Sequence, residues 1–582
     1  MFFIVQRRIT VKKRIVSLIL VLCFLLSVFA LTSCEKDAAT ATADPSATTE
    51  PAATDTETEA ATTVEVTTDK WEDLAPMITM ISEAMRTLRI ECDSNKSAEK
   101  SAKNDVYLKG PDSVEDGVTP LIEQMVYERN KAANDLLGTR TNFVFWDESW
   151  GKQAEKIDLA VKGGAADAPD MFVNMLYELN RELINGTFKD VWSIPNSFFD
   201  FKAEGWLKTW MESLSFTGDR AYILGSDYFL DVFRAVPVLP FNMDMMDANA
   251  VKLASAIMPE GETLGQDEEL TTYFFDLVDE GKWTWDVLGK LCEAAWVDSD
   301  GDGADSIGDV LGIISDGYGG INAASFVYCC GEPLTEAYPI EDESSEYYNK
   351  QWIKFRDDSS GLNRIYDAVK SVFQGSGSLT TSYTFSGNTP ETPGAAYHHT
   401  KFANGELLFA GICTLGALED QVFQEMTDLY SVVPCPKLDP DKDKPYNTII
   451  INQGDVGAIN VNANPRKAKV LSAFIQYCTE NSGDIREQFL QIVTKYKTTT
   501  YNQGTDRMLD IIYKNVRYGR DKTVDDLNKD PRWHRIMMEQ KFVAGSDVIT
   551  TRYDKALPAK QALLDNVMKT WYTLPKTEPA SN

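Results

Sequence analysis

The sequence reads as an α/β chain with a doubly wound sheet near the start of its body. Three observations lead there. Strand-like apolar runs alternate with stretches of helical period, glycines stand where the helical stretches stop, and the alternation holds from residue 87 to residue 186.

Thr87 to Cys92 (TLRIEC) is the first strand. In DGVTPLIEQMVYERNKAANDLLG, apolar residues recur at helical spacing at Leu121, Met125, Ala132 and Leu136, and Gly138 takes the stop position. NFVFW is the second strand. SWGKQAEKIDLAVKGG is a helix closed by a glycine pair, and DMFVNM after Pro169 is the third strand. A last helix passes through Leu183 and ends near Gly186. This β-α-β-α-β-α order is that of a doubly wound sheet, whose ligands lie beyond the carboxyl ends of the strands.

The stretch before this body sets the expected compartment. MFFIVQRRITVKKR carries Arg7, Arg8, Lys12, Lys13 and Arg14 without an acid, and an apolar run from Ile15 to Leu31 follows. That is the pattern of a secretory signal over 1–33. Its ending, Leu31-Thr32-Ser33-Cys34, resembles a bacterial lipobox, which makes Cys34 the expected lipid attachment site. The acyl chains there supply the two or more anchors that stable membrane attachment requires. Residues 34–70 are almost entirely Ala, Thr, Glu, Asp and Pro, a composition that cannot bury enough apolar surface to fold. They read as a disordered tether.

Charge and cysteines narrow the partners. The formal net charge is −31, and loss of the five basic residues of the signal makes it more negative still. Nucleic acid is excluded as a partner, because phosphate binding needs a basic surface. Direct electrostatic attraction to anionic lipid is disfavoured as well. Beyond Cys23 and Cys34, seven cysteines remain, sparse and mostly in apolar runs such as SFVYCCG. They read as buried thiols with at most one unassigned pair.

A family resemblance emerges from motifs in a fixed order. APDMFVNMLYELNRELINGTFKDV is followed by AVPVLPFNMDMM, GKWTWDVLGKLCEAA, DSDGDGADSIGDVLGI, KFANGELLFAG, LYSVVPCPKLD, GDVGAIN and RKAKVLSAFIQYC. Together they resemble the family 1 extracellular solute-binding proteins, lipoprotein receptors of ATP-driven importers related to maltose-binding protein. DRMLDIIYKNVRYGR extends the likeness to the clostridial type. The resemblance implies a two-lobe, type II periplasmic-binding-protein-like α/β fold with a multi-crossover hinge. Lobe 1 would comprise 86–242 and 411–462, and lobe 2 would comprise 243–410 and 463–582. It also implies a monomer at the outer face of the cytoplasmic membrane, working with permease subunits and closing on its ligand by a hinge motion. One departure stands out: GICTLG carries no aromatic where relatives often place a sugar-facing Trp.

Residues 298 to 309 have the spacing of a calcium loop. Asp298, Asp300 and Asp302 occupy positions 1, 3 and 5, Gly303 is the turn glycine, Ala304 offers a carbonyl at 7, and Asp309 stands at 12. Asp309 is shorter than the usual Glu, and Asp305 is a substitute ligand for it. Hard oxygens suit a structural Ca²⁺ and not zinc. The other reading is a solvated acidic turn.

Catalytic patterns are scarce. The three histidines are His398, His399 and His534, and no Gly-x-Ser-x-Gly, P-loop or HExxH occurs. Paired carboxylates for glycoside hydrolysis stay open, because an acidic chain offers many pairs. Binding accounts for more, since sugar rings pack on aromatic faces while Asp, Asn and Gln take hydroxyls. The expected ligand residues follow strands or sit at crossings: Asp93, Trp146, Asp147, Trp150, Asn174, Tyr177, Asp227, Tyr228, Asp316, Tyr318, Thr414, Gln453 and Asp455. Trp283 and Trp285 are expected to be structural, because Thr284 and Asp286 look like helix-start residues. The expected function is non-catalytic capture of an oligosaccharide for a permease. A surface glycoside hydrolase and an adhesin without a cleft are the alternatives.

Overall fold

The computed structural model describes residue 78 and residues 82–93, 105–146, 148–149, 151–164, 168–266, 268–316, 325, 327–331, 334–357, 360–381, 397–451, 454–494, 502–528 and 549–574. These lie in one compact unit, Thr67–Asn582. The expected signal, Cys34 and nearly all of the tether fall in the other unit, Met1–Val66, and lie outside the described residues.

The first sheet starts with β1 (Thr87–Asp93), α1 (Leu121–Leu137), β2 (Arg140–Trp146), α2 (Gln153–Gly163), β3 (Met171–Met175) and α3 (Leu176–Glu182). β1 lies between β2 and β3 and is parallel to both, as expected of a doubly wound unit. α1 ends at Gly138, whose φ of 60° suits a residue without a Cβ, and the next amide, Thr139 N, donates to the Asn134 carbonyl at 2.9 Å. The buried face of α1 is displaced by one residue from the expected one. Ile122, Val126, Ala133 and Leu137 are buried, while Leu121 is 52% exposed. A one-residue step turns a helix by about 100°, and the core fixed the rotation through Arg129 and Asn130, which are buried on the same face.

The chain then enters a second sheet through β4 (Pro237–Asn242), and α4 (Trp285–Ala295) leads into β5 (Leu311–Asp316). A hairpin of β6 (Thr335–Pro339) and β7 (Gln351–Phe355) precedes α5 (Ser360–Phe373), β8 (Ser378–Thr381), β9 (Leu407–Phe409), β10 (Cys413–Thr414) and β11 (Tyr430–Val433). The strand order is β10-β4-β9-β5-β8, with β11 also on β4. Thr284 caps α4 by accepting from Val287 N, and Trp283 and Trp285 are fully buried, as expected. Trp283 stacks on Phe409 at 5.8 Å, meets Phe274 edge-on at 4.9 Å, and donates through Nε1 to the Pro434 carbonyl at 2.8 Å.

After β12 (Thr448–Ile449) the chain returns to the first sheet as β13 (Asp455–Ile459), antiparallel to β3. There follow α6 (Pro465–Glu480), α7 (Gly483–Val493), α8 (Asn502–Lys514), β14 (Val516–Arg517), α9 (Arg520–Leu527) and α10 (Ile549–Thr573). Strand pairing divides the chain differently from the expected lobe bounds. β4, expected to close lobe 1, belongs to the second sheet, and β10 and β11, expected within 411–462 of lobe 1, pair with it. α6 and α7, expected in lobe 2, pack on α1 of the first sheet. The reason is local to β4, which pairs with β9, β10 and β11 along its length.

Candidate functional site

The parallel strands of the first sheet end together at Asp93, Trp146 and Met175. Antiparallel β13 begins at the same edge, with Asp455 opposite Met175. Trp146 is half-buried there, its ring 6.1 Å from that of Phe172, with the Lys156 ammonium 4.5 Å from its centroid. Asn174 is buried, and its side-chain amide donates to Gln153 on α2. Tyr177 is buried beneath the Arg181 guanidinium, 5.6 Å from its ring.

Beside this edge the chain crosses between the sheets. Asp231 to Ala235 lead into β4, the segment after β10 leaves the second sheet, and the described residues 449–451 and 454–455 lie on the way back to the first. All three meet at one place. Leu415 N donates to Val236 O at 2.9 Å and Ile451 N to Ala235 O at 3.1 Å. Gly454 is packed so closely that a Cβ there would lie 2.8 Å from that of Ala235. Arg234 ties the crossing together, with Nη1 2.6 Å from Asp231 Oδ1 and Nε 3.0 Å from Glu419 Oε1. Its guanidinium also stands 5.8 Å from the Tyr107 ring. Asp231 Oδ2 in turn accepts from Asp455 N at 3.0 Å.

A recess opens between the crossing and the sheet edge. Tyr107, Leu108, Val173, Phe229, Leu230, Asp231 and Asp455 line a small recess of about 10 Å³, room for about one water molecule. Two carboxylates and a phenol stand among its apolar walls, so that as it stands the recess can meet a single polar group and not a whole ligand. Burial raises the Tyr107 hydroxyl above its ordinary pKa, so it keeps its proton and can donate.

The expected ligand residues divide into three groups. Trp146, Asn174, Tyr177 and Asp455 belong to the first-sheet edge, and Thr414, opposite Pro237 in the β10–β4 pair, sits half-buried at the crossing. Asp93 and Asp316 end β1 and β5, with their side chains outside the described residues, as are Asp147, Trp150, Tyr318 and Gln453 altogether. Asp227 and Tyr228 are corrections, because both are core residues. Ser226 beside them is pinned to Thr479 of α6 at 2.8 Å, and Leu224 pairs with Gly457 of β13, which draws the stretch inward. Tyr228 is 0% exposed, packed on Phe229, Phe474 and Arg129. Asp227 is 1% exposed, 2.7 Å from Arg486 Nη1, and accepts from the Tyr513 hydroxyl at 2.9 Å. Burial pushes its carboxyl up to about 6 against the pull of Arg486.

Tyr107, Asp231, Arg234 and Glu419 escaped the sequence reading. The available signal for two of them was position, since Asp231 and Arg234 fall in the short stretch just before the crossing strand. Glu91 was missed too. It is buried on β1 with Oε1 lacking a hydrogen-bond partner among the described residues, and burial pushes its carboxyl up to about 8 despite Lys156 nearby.

In the acidic loop, Asp298, Asp300 and Asp302 each place a carboxylate oxygen within 4.8 Å of the others. Asp309 is not with them. Its two oxygens accept from Ser299 N and Ser306 N, each at 2.8 Å, clasping the ends of the loop where Val297 bridges Val310. Asp305 likewise turns away and accepts from Gly377 N at 2.9 Å. The twelfth-position ligand expected from spacing is therefore a structural latch, because its short side chain reaches the loop's own amides. The three remaining aspartates, with the Ala304 carbonyl, are the donors a hard cation could use.

No protein-family model matches the chain. No curated protein matches it either. Among solved structures, it is similar to the sugar-binding protein MalE of Xanthomonas citri, at 11% identity and a TM-score of 0.48, covering 84% of this chain and 99% of that one. The galacto-N-biose/lacto-N-biose I-binding protein of a Bifidobacterium longum ABC transporter gives 13% identity, a TM-score of 0.45 and coverage of 84% and 97%. The GacH receptor of Streptomyces glaucescens, solved free and with acarbose, gives 13%, 0.43, and coverage of 84% and 99%.

Proposed function

We propose that this protein is a non-enzymatic solute receptor of an ATP-driven importer, that its ligand is an oligosaccharide, and that Cys34 anchors it to the outer face of the membrane. The observation that carries the reading is the meeting of three crossing segments at Asp231 to Ala235, beside a small recess at the carboxyl edge of the first sheet. A multiply crossed junction lets two sheet-centred bodies move as units, and a ligand seated beside it biases their closure by its differential affinity. The ligand chemistry follows from the groups at this edge: the carboxylates and tyrosine of the recess for hydroxyls, and half-buried Trp146 at the end of β2 for a ring face.

A structural Ca²⁺ in the Asp298–Asp300–Asp302 loop belongs to the same reading, stabilising the approach to β5 without touching the ligand. Permease subunits are the partners to which the loaded receptor delivers.

Calorimetric titration and thermal-shift screening of the protein against mono- and oligosaccharides test the reading. A receptor gives saturable binding, a raised melting point and unchanged ligand. Release of shorter sugars would replace it with a hydrolase, and silence across the panel would reject a saccharide ligand.

A further inference from the structure

Asp227 and Tyr513 meet across the two sheet-centred bodies. Asp227 is held on the first-sheet side. Its amide donates to Gly205 O at 2.8 Å, Ser226 beside it is pinned to α6, and Leu224 pairs with Gly457 of β13. Tyr513 stands in the last turn of α8, which belongs to the other side. α8 packs on β11, where Thr505 Oγ1 and Ser431 Oγ lie 2.9 Å apart. Arg507 of α8 also pairs with Asp276 at 3.0 Å, on the helix Leu270–Asp279, whose Phe274 meets Phe241 of β4. One carboxylate therefore serves both sides. Asp227 Oδ2 accepts from Arg486 Nη1 at 2.7 Å, on α7, which packs on α1, and Oδ1 accepts from the Tyr513 hydroxyl at 2.9 Å. The Tyr513 ring lies 4.5 Å from the Arg486 guanidinium and stacks on Phe233 of the crossing at 5.3 Å. Burial and the neighbouring carboxylate raise the phenol above its ordinary pKa, so it keeps the proton it donates. None of these four groups lines the recess.

We propose that the Tyr513–Asp227 hydrogen bond is a clasp that sets the angle between the two bodies, which makes Tyr513 a positioning residue for ligand capture. The proposal rests on the receptor reading above, in which the bodies move as units. A hydrogen bond tolerates only small changes of distance and direction. This one holds in the arrangement described here and is lost when α8 turns away from Asp227. It therefore adds its free energy to one arrangement alone. A group that biases the arrangements also biases affinity, because a binding-competent state that is made rarer binds more weakly. The stack on Phe233 and the contact with Arg486 depend on the ring and persist without the hydroxyl. Tyr513→Phe thus opens the clasp and spares the packing.

Donor and acceptor dyes on azide-bearing residues at positions 159 and 251 report the angle in the full chain. Leu159 is 69% exposed on α2, and Val251 is 90% exposed on the helix Ala250–Ile257, which packs on α4. Tyr513→Phe should move the single-molecule distribution of inter-dye distances, with the equilibrium between arrangements shifted about tenfold, the worth of one hydrogen bond to a charged group. Thr505→Val removes a buried hydroxyl pair within one side. It should lower the unfolding midpoint and leave the distribution in place. Titration with the mono- and oligosaccharides of the panel should find Tyr513→Phe alone changed in affinity. Its binding should be tighter if the variant moves the free protein the way a bound saccharide does, and weaker if it moves it the opposite way. An unmoved distribution in Tyr513→Phe, or the same movement in Thr505→Val, would overturn the clasp. Silence across the panel would reject the receptor reading instead, and the dye distances would still decide the clasp.

Discussion

Glu91 shows how a single buried carboxyl shapes stability. Its folded pKa of about 8 lies above the ordinary 4.5, so the folded state holds the proton more tightly than the unfolded chain does. Its contribution is fully present below pH 4.5 and is lost as pH rises through about 8. Glu91→Gln should flatten that slope and leave the protein more stable at pH 8, by roughly 1–3 kcal/mol, read from urea unfolding at pH 5 and pH 8. Tyr228 and Trp146 make a contrasting pair. Tyr228→Ala empties a fully enclosed site and should cost about 3–5 kcal/mol of stability. Trp146→Ala, at the half-buried sheet edge, should weaken saccharide binding by ~1–3 kcal/mol and leave most of the stability in place. Calorimetry beside unfolding curves separates the two, and swapped outcomes would return Tyr228 to the ligand surface.

At the scale of the element, the acidic loop separates a latch, Asp309, from the proposed Ca²⁺ donors, Asp298, Asp300 and Asp302. Asp309→Ala removes the latch from Ser299 and Ser306 and should lower the melting temperature with or without Ca²⁺. Asp300→Ala spares the latch and should abolish only the rise in melting temperature that added Ca²⁺ produces, with chelator as the reference. If Ca²⁺ produces no rise in the unmodified protein, the loop is a solvated turn. Spacing alone could not distinguish these residues. Positions 1, 3, 5 and 12 are legible in sequence, but whether a short side chain reaches a metal or its own backbone depends on how the loop closes. Helix α1 gives the same lesson. Its length and its Gly138 stop are local properties, while its rotation depends on Arg129, which finds Ser482 Oγ 2.8 Å away, and the sequence position of that partner gave no hint of the contact.

For the whole molecule, the crossing is the feature on which the receptor reading depends. Arg234 is 10% exposed and holds Asp231 and Glu419, which are 13% and 8% exposed. Arg234→Met keeps much of the volume but leaves two partly buried carboxylates without their cation, which should cost about 2–4 kcal/mol in urea unfolding. Adding Asp231→Asn and Glu419→Gln should recover most of that loss, because neutral amides carry no uncompensated charge. No recovery would mean that Arg234 acts through packing alone.

What the sequence determined by itself is local: the β-α-β-α-β order, the Gly138 stop, the Thr284 cap with its buried tryptophans, and the candidate loop at 298. Each depends on periodicity or on partners within a few residues, and short-range sterics and hydrogen bonding act on them before any tertiary contact forms. Only the tertiary structure decided that Asp227 and Tyr228 lie in the core, that β10 and β11 join β4, and that Asp231, Arg234, Glu419 and Asp455 converge. Those outcomes join residues up to 286 positions apart, as in the Tyr513–Asp227 hydrogen bond. Such partners are chosen by which surfaces are left to bury once the sheets have formed, a competition among all parts of the chain that no local pattern encodes.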